Sequence, residues 1–246
     1  MTEFPTWLNT LCAVSVATGI LCALVILFAE FRHPNHMVIM RIVWPVCALF
    51  GTVFVLWLFF RYGREVVHPS GGSRENAAVS KMPAVSAPFA ITVAKGTLHC
   101  GGGCAIGDIT AEWLAFAMPA VAIAFGWHTV FEEQTYAVWV LDFILAFGIG
   151  IIFQYFAIVP MRKLSASQGI VAALKADTLS LAAWQIGMYC LMAVMQFIVF
   201  ERLFGGPAPV NSIEFWAAMQ LAMIAGFATS YPMNWWLIRV GIKEPM

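Results

Sequence analysis

The run His99-Cys100-Gly101-Gly102-Gly103-Cys104 sets two thiols and an imidazole beside three glycines, and Asp108 and Glu112 follow Cys104 at four-residue steps. A thiolate pair with an imidazole suits a soft ion such as Cu(I), and an added carboxylate suits Zn(II). His99, Cys100 and Cys104 are therefore the expected metal ligands, with copper or zinc as the expected ion. In helical order Cys104, Asp108 and Glu112 form one slowly drifting stripe. The C-x-x-x-C spacing also has a plainer reading, in which glycines and cysteines are small residues lining a close helix contact.

Everything around this segment is apolar. Of 246 residues, 61% are hydrophobic and 11% charged, with a mean hydropathy of +0.83. A soluble fold could not cover that much apolar surface, so the expected solvent is lipid. The formal net charge is zero, which leaves no basic field to hold a nucleic acid. No Walker loop, dinucleotide fingerprint or Ser-His-Asp arrangement is visible, so the chain reads as a handler of solutes more than as an enzyme. Cys12, Cys22, Cys47 and Cys190 lie in apolar runs, where a thiol packs as a small hydrophobe.

Six stretches supply the roughly 20 apolar residues that a bilayer core demands: 8–28, 38–60, 105–127, 136–160, 178–200 and 215–238. The first lacks a basic leader and a cleavage pattern and is expected to be retained. The expected fold class is thus an all-α integral membrane bundle of six transmembrane helices. Residues 1–61 form the first two, 62–88 a cytoplasmic loop rich in Pro, Ser, Gly and charge, and 89–246 a four-helix region. A helix running from residue 89 to 127 would reach roughly 58 Å, nearly twice the hydrocarbon thickness, so helix three is expected to break at its glycine run. With six crossings, all Lys and Arg except Arg32, Arg41 and Arg202 lie on the side that holds both termini. That side is expected to be cytoplasmic, with the His-Cys segment at its mouth.

Levelling the spans against one another places Asp108, Glu112, Gln154, Asp177, Gln185 and Asn234 at one depth. Ionisable groups there are expensive, and their presence marks a substrate or proton pathway. Near the other side, Glu30, His33 and His36 and the thioethers of Met188, Met192, Met195, Met219 and Met223 are expected to capture a cation before entry. Arg41 and Asp142, at similar depth, are expected to neutralise each other.

Several longer words are more specific than the cysteine spacing: His99-Cys100-x-x-Gly103-Cys104-x-x-Gly107-Asp108, Phe153-Gln154-Tyr155-Phe156-Ala157-Ile158-x-Pro160-Met161-Arg162, Lys175-Ala176-Asp177-Thr178-Leu179-Ser180-Leu181, and Tyr231-Pro232-Met233-Asn234-Trp235-Trp236-Leu237-Ile238-Arg239 with Gly241-Ile242-Lys243-Glu244. Together they resemble an uncharacterised family of bacterial multi-span membrane proteins classed as a domain of unknown function. The resemblance implies an integral protein of the bacterial inner membrane and brings no reaction or substrate with it. The functional expectation from the residues is a transporter or handler of a soft metal cation. A membrane thiol/quinone oxidoreductase and a non-catalytic membrane scaffold stand as alternatives. Apart from the bilayer and a metal ion, no partner is indicated.

Overall fold

A computed structural model describes residues 4–35, 37–63 and 88–244, and among these every regular element is helical. The chain runs α1 (Thr6–Arg32), α2 (Met40–Leu58, continued by a π-helical turn Phe59–Gly63), α3 (Phe89–Ala117), the short α4 (Pro119–Ala124), α5 (Gln134–Arg162), α6 (Ala166–Val194, with a π-helical turn Met195–Phe200), α7 (Glu201–Phe204) and α8 (Ile213–Arg239). Four segments are long and apolar enough to cross a bilayer by length and composition: Thr6–Arg32, Met40–Gly63, Gln134–Val159 and Ala166–Phe204. Leu11, Leu21 and Phe28 on α1 and Ile186 on α6 are more than half exposed, as side chains facing lipid would be. Helices α3 and α8 are equally long but carry much of the buried polarity.

Helix α3 is not broken at its glycines. It is continuous over 29 residues, and the interruption comes at Met118, where Pro119 supplies no N–H and disfavours helical geometry in the residue before it. The glycines instead let three neighbours approach on three sides, because successive residues point about 100° apart. A Cβ on Gly101 would strike the Trp184 ring, one on Gly102 would lie 3.1 Å from Val43, and one on Gly103 would lie 2.8 Å from the Gly150 Cα. One turn on, Gly107 rests against the backbone of Ala146.

The second apolar stretch is not one crossing. Thr52 has φ 42° and ψ −126°, a conformation that costs a β-branched residue strain. The chain turns back there: the Trp44 and Phe59 rings meet at 5.6 Å, and Asn35 Nδ2 donates to the Gly63 carbonyl at 2.9 Å. In a straight helix Trp44 and Phe59 would be separated by roughly 22 Å. Helix α2 is therefore a hairpin of two half-helices that enters and leaves at one end of the bundle. Its bend frees carbonyls from their helical donors, and Gln220 Nε2 on α8 satisfies that of Leu49 at 2.5 Å.

Equal sequence separations fix the directions of the other helices. Cys100–Asp177 and Asp108–Gln185 both span 77 residues, so α3 and α6 are parallel. Asn9–Glu214 and Ser15–Gln220 both span 205, so α1 and α8 are parallel. Helix α8 is antiparallel to α6, with Ser230 bonded to Ser180 and Gly226 under Trp184. The N-terminal end thus lies beside the end of α6, where Phe4 packs on Phe200 and Phe204. The C-terminal tail lies beside the starts of α3 and α6. The expectation of both termini on one side is corrected, because folding α2 back on itself removes one crossing.

Candidate functional site

The antiparallel contact of α3 with α5 sets the register of the site. Gly103 meets Gly150, Gly107 meets Ala146, and Ala115 packs with Val138. The turn between these last two contacts brings Asp142 level with Ala111, between Asp108 and Glu112. All three acids are buried, at 0%, 0% and 4% exposure for Asp142, Asp108 and Glu112. Each pair among them interacts electrostatically. Gln185 Nε2 donates to Asp108 Oδ1 at 3.1 Å. By the parallel register of α3 and α6, Tyr189 stands level with Glu112, and its hydroxyl donates to the Trp139 carbonyl at 3.0 Å. Asp108 Oδ2 and both oxygens of Asp142 have no hydrogen-bond partner among the described residues.

A second polar group lies eight residues lower on α3, about 12 Å along the axis. Cys100 Sγ meets Asp177 Oδ1 at 3.0 Å and Ser180 Oγ at 3.1 Å. Lys243 Nζ donates to Asp177 Oδ1 at 2.5 Å and to Cys100 Sγ at 2.9 Å. Asn234 Nδ2 donates to Ser180 Oγ at 2.6 Å and to Ser230 Oγ at 3.0 Å. The side chains of Lys243 and Asp177 are fully buried. Burial alone lowers the Lys243 pKa, but the Asp177 carboxylate and Cys100 outweigh it and raise it above the ordinary lysine value.

The six pathway residues therefore occupy two tiers and not one depth. Asp108, Glu112 and Gln185 form the upper tier with Asp142, and Asp177 and Asn234 belong to the lower. Gln154 falls level with His99 by the α3–α5 register and is buried without a hydrogen-bond partner among the described residues.

The expected soft-metal ligands do not form a cluster. His99 turns toward the ring and backbone of Phe153 on α5, whereas Cys100 faces α6 and the tail. Cys104 is buried one turn above Cys100. Among the described residues no three His, Cys, Asp or Glu side chains converge as a metal ion would require.

The outer capture set is split between the two ends of the bundle. Glu30 and His33 lie at the end of α1, where Glu30 accepts from the Asn35 N–H, the same end as the Cys100 tier. His36 lies outside the described residues. Met188 and Met192 are core side chains on α6, Met195 packs beside them, and Met219 and Met223 belong to the same core on α8. Arg41 donates to the Asn35 carbonyl and not to Asp142.

Sequence reading did not give Lys243, Ser180, Ser230, Tyr189 and Asp142 their places in the site. A signal existed for Asp142, an acid in mid-span. None existed for Lys243, whose partner is 66 residues away in sequence.

The family model described as a domain of unknown function (DUF4396) matches residues 91–243, and the chain belongs to that family. The match takes in both tiers and ends at Lys243. No curated protein and no solved structure matches the chain.

Proposed function

We propose that this member of the DUF4396 family moves protons across the membrane, with Asp108, Glu112 and Asp142 as the groups that take up and pass on the proton. One observation carries the reading: three buried carboxyl groups share a level, and neither oxygen of Asp142 has a partner among the described residues. An ionised carboxylate in such surroundings costs several kcal/mol unless positive charge accompanies it. A metal ion would need ligands converging on one point, which these side chains do not provide. A proton needs one carboxyl at a time, and neighbours at one level can hand it on through a bridging water. The cation-handling expectation thus moves from sulfur to oxygen, and from copper or zinc to the proton. Gln185 holds Asp108, while Tyr189 offers a phenol at the Glu112 level.

The test is proton uptake into proteoliposomes driven by a potassium diffusion potential and read with an entrapped pH dye. The native chain is expected to acidify the lumen, and Asp142→Asn and Glu112→Gln to abolish this while remaining monodisperse. Equal uptake by Asp142→Asn would refute the proposal.

A further inference from the structure

The ammonium of Lys243 is held as a ligand is held. It sits beyond the end of α8, on a tail turned back at Gly241 (φ 74°), and enters a pocket built by three other elements. Asp177 Oδ1 and Cys100 Sγ accept from it at 2.5 and 2.9 Å. Ser180, Ser230 and Asn234 close the wall behind them. Two buried acceptors of this pocket, Asp177 Oδ2 and Asn234 Oδ1, have no partner among the described residues, so the pocket holds more acceptor capacity than the tail uses. Beyond Lys243, Glu244 pairs with the exposed Arg162, and a cavity of about 610 Å³ opens beside Gly241 and Ile242, walled by α5 and α6.

We propose that this pocket is a binding site for a primary ammonium group and that Lys243 is its tethered, exchangeable occupant. The inference goes beyond the proton reading and names a solute, a small primary amine in its cationic form. The proton tier stands about 12 Å above on the same two helices. A free amine reaching Asp177 displaces Lys243, and the tail returns when the amine leaves. Tethering gives the lysine an effective concentration in the millimolar range, so it yields to a substrate without preventing turnover.

The experiment reads alkylation of Cys100 by a small maleimide in full-length protein, with a cysteine introduced at the exposed loop residue Glu132 as the internal standard. In Lys243→Ala the Cys100 rate should rise about tenfold or more, because the group covering the sulfur is gone. Propylammonium, which replaces the atoms removed, should restore protection, whereas tetramethylammonium, which has no N–H, should not. Adding Asp177→Asn should abolish the protection. A folded Lys243→Ala protein with no protection by propylammonium would overturn the proposal, whatever the proton assay gives. Should Lys243→Ala fail to fold, Lys243→Ser is used. If neither folds, refolding only with propylammonium present supports the site, and failure with and without it overturns it.

Discussion

Lys243 and Asp177 bind each other where neither can reach water, and this makes each costly to remove alone. Lys243→Met should destabilise the protein by about 3–5 kcal/mol, because a buried carboxylate loses its counter-ion. Asp177→Asn combined with Lys243→Met should cost less than the two changes summed, and thermal unfolding in detergent measures both. The sign of the pH dependence follows from the raised Lys243 value. The pair's contribution is fully present below the ordinary lysine pKa of about 10.4 and is lost as pH rises through the higher folded value. The tail should therefore stay docked from neutrality to about pH 10, and the difference in melting temperature between the native protein and Lys243→Met should stay constant over that range. The sequence makes the chemistry of such residues legible but not their partners. Cys100 reads as a metal ligand from its neighbours His99 and Cys104, yet its partners are an acid on α6 and a lysine past α8, which no local spacing encodes.

At the scale of elements, the glycines of α3 serve packing, and the plainer reading of that segment agrees with the contacts. Gly103→Val should force α3 and α5 apart and cost about 3 kcal/mol or more, since backbone and not a flexible side chain meets the new methyls. Gly148→Ala, with open space around its Cβ, should be neutral or stabilising by about 0.5–1 kcal/mol. Composition marks glycine as a weak point in a helix, but the outcome depends on what lies opposite, and here three neighbours fill the space. The hairpin in α2 was illegible for a related reason. Residues 42–60 are apolar enough for a full crossing, and the turn rests on Thr52 behind a single glycine, Gly51, which a crossing helix also tolerates. Cysteines placed at Asn35 and Gly63 should cross-link with a short bis-maleimide, whereas a straight α2 would hold them roughly 35 Å apart.

For the whole molecule, the hairpin leaves α1, α3, α5, α6 and α8 as full-length helices, an odd number, and sets the two termini at opposite ends. Of the ten Lys and Arg among the described residues, Arg202 alone then belongs to the N-terminal end, a stronger asymmetry than the six-crossing arrangement gives. By the positive-inside rule that asymmetry predicts a cytoplasmic C-terminal end. A tag at the C-terminus should be reached by protease in inside-out vesicles and one at the N-terminus in intact spheroplasts; both tags cleaved from one side would restore the even-numbered topology. Bilayer class, helical content and family were readable from composition and from the longer sequence words. The division of the polar residues into two tiers was not, because it depends on a parallel α3–α6 register fixed only by contacts across the bundle.

For protons to pass through the bundle, Asp142 must take one up and release it. Infrared difference spectra of the reconstituted protein between two pH values read carboxyl groups directly, through the C=O stretch of the protonated acid. We expect a band that appears and disappears with pH in the native chain and is missing in Asp142→Asn. The same band, undiminished, in Asp142→Asn would contradict the account.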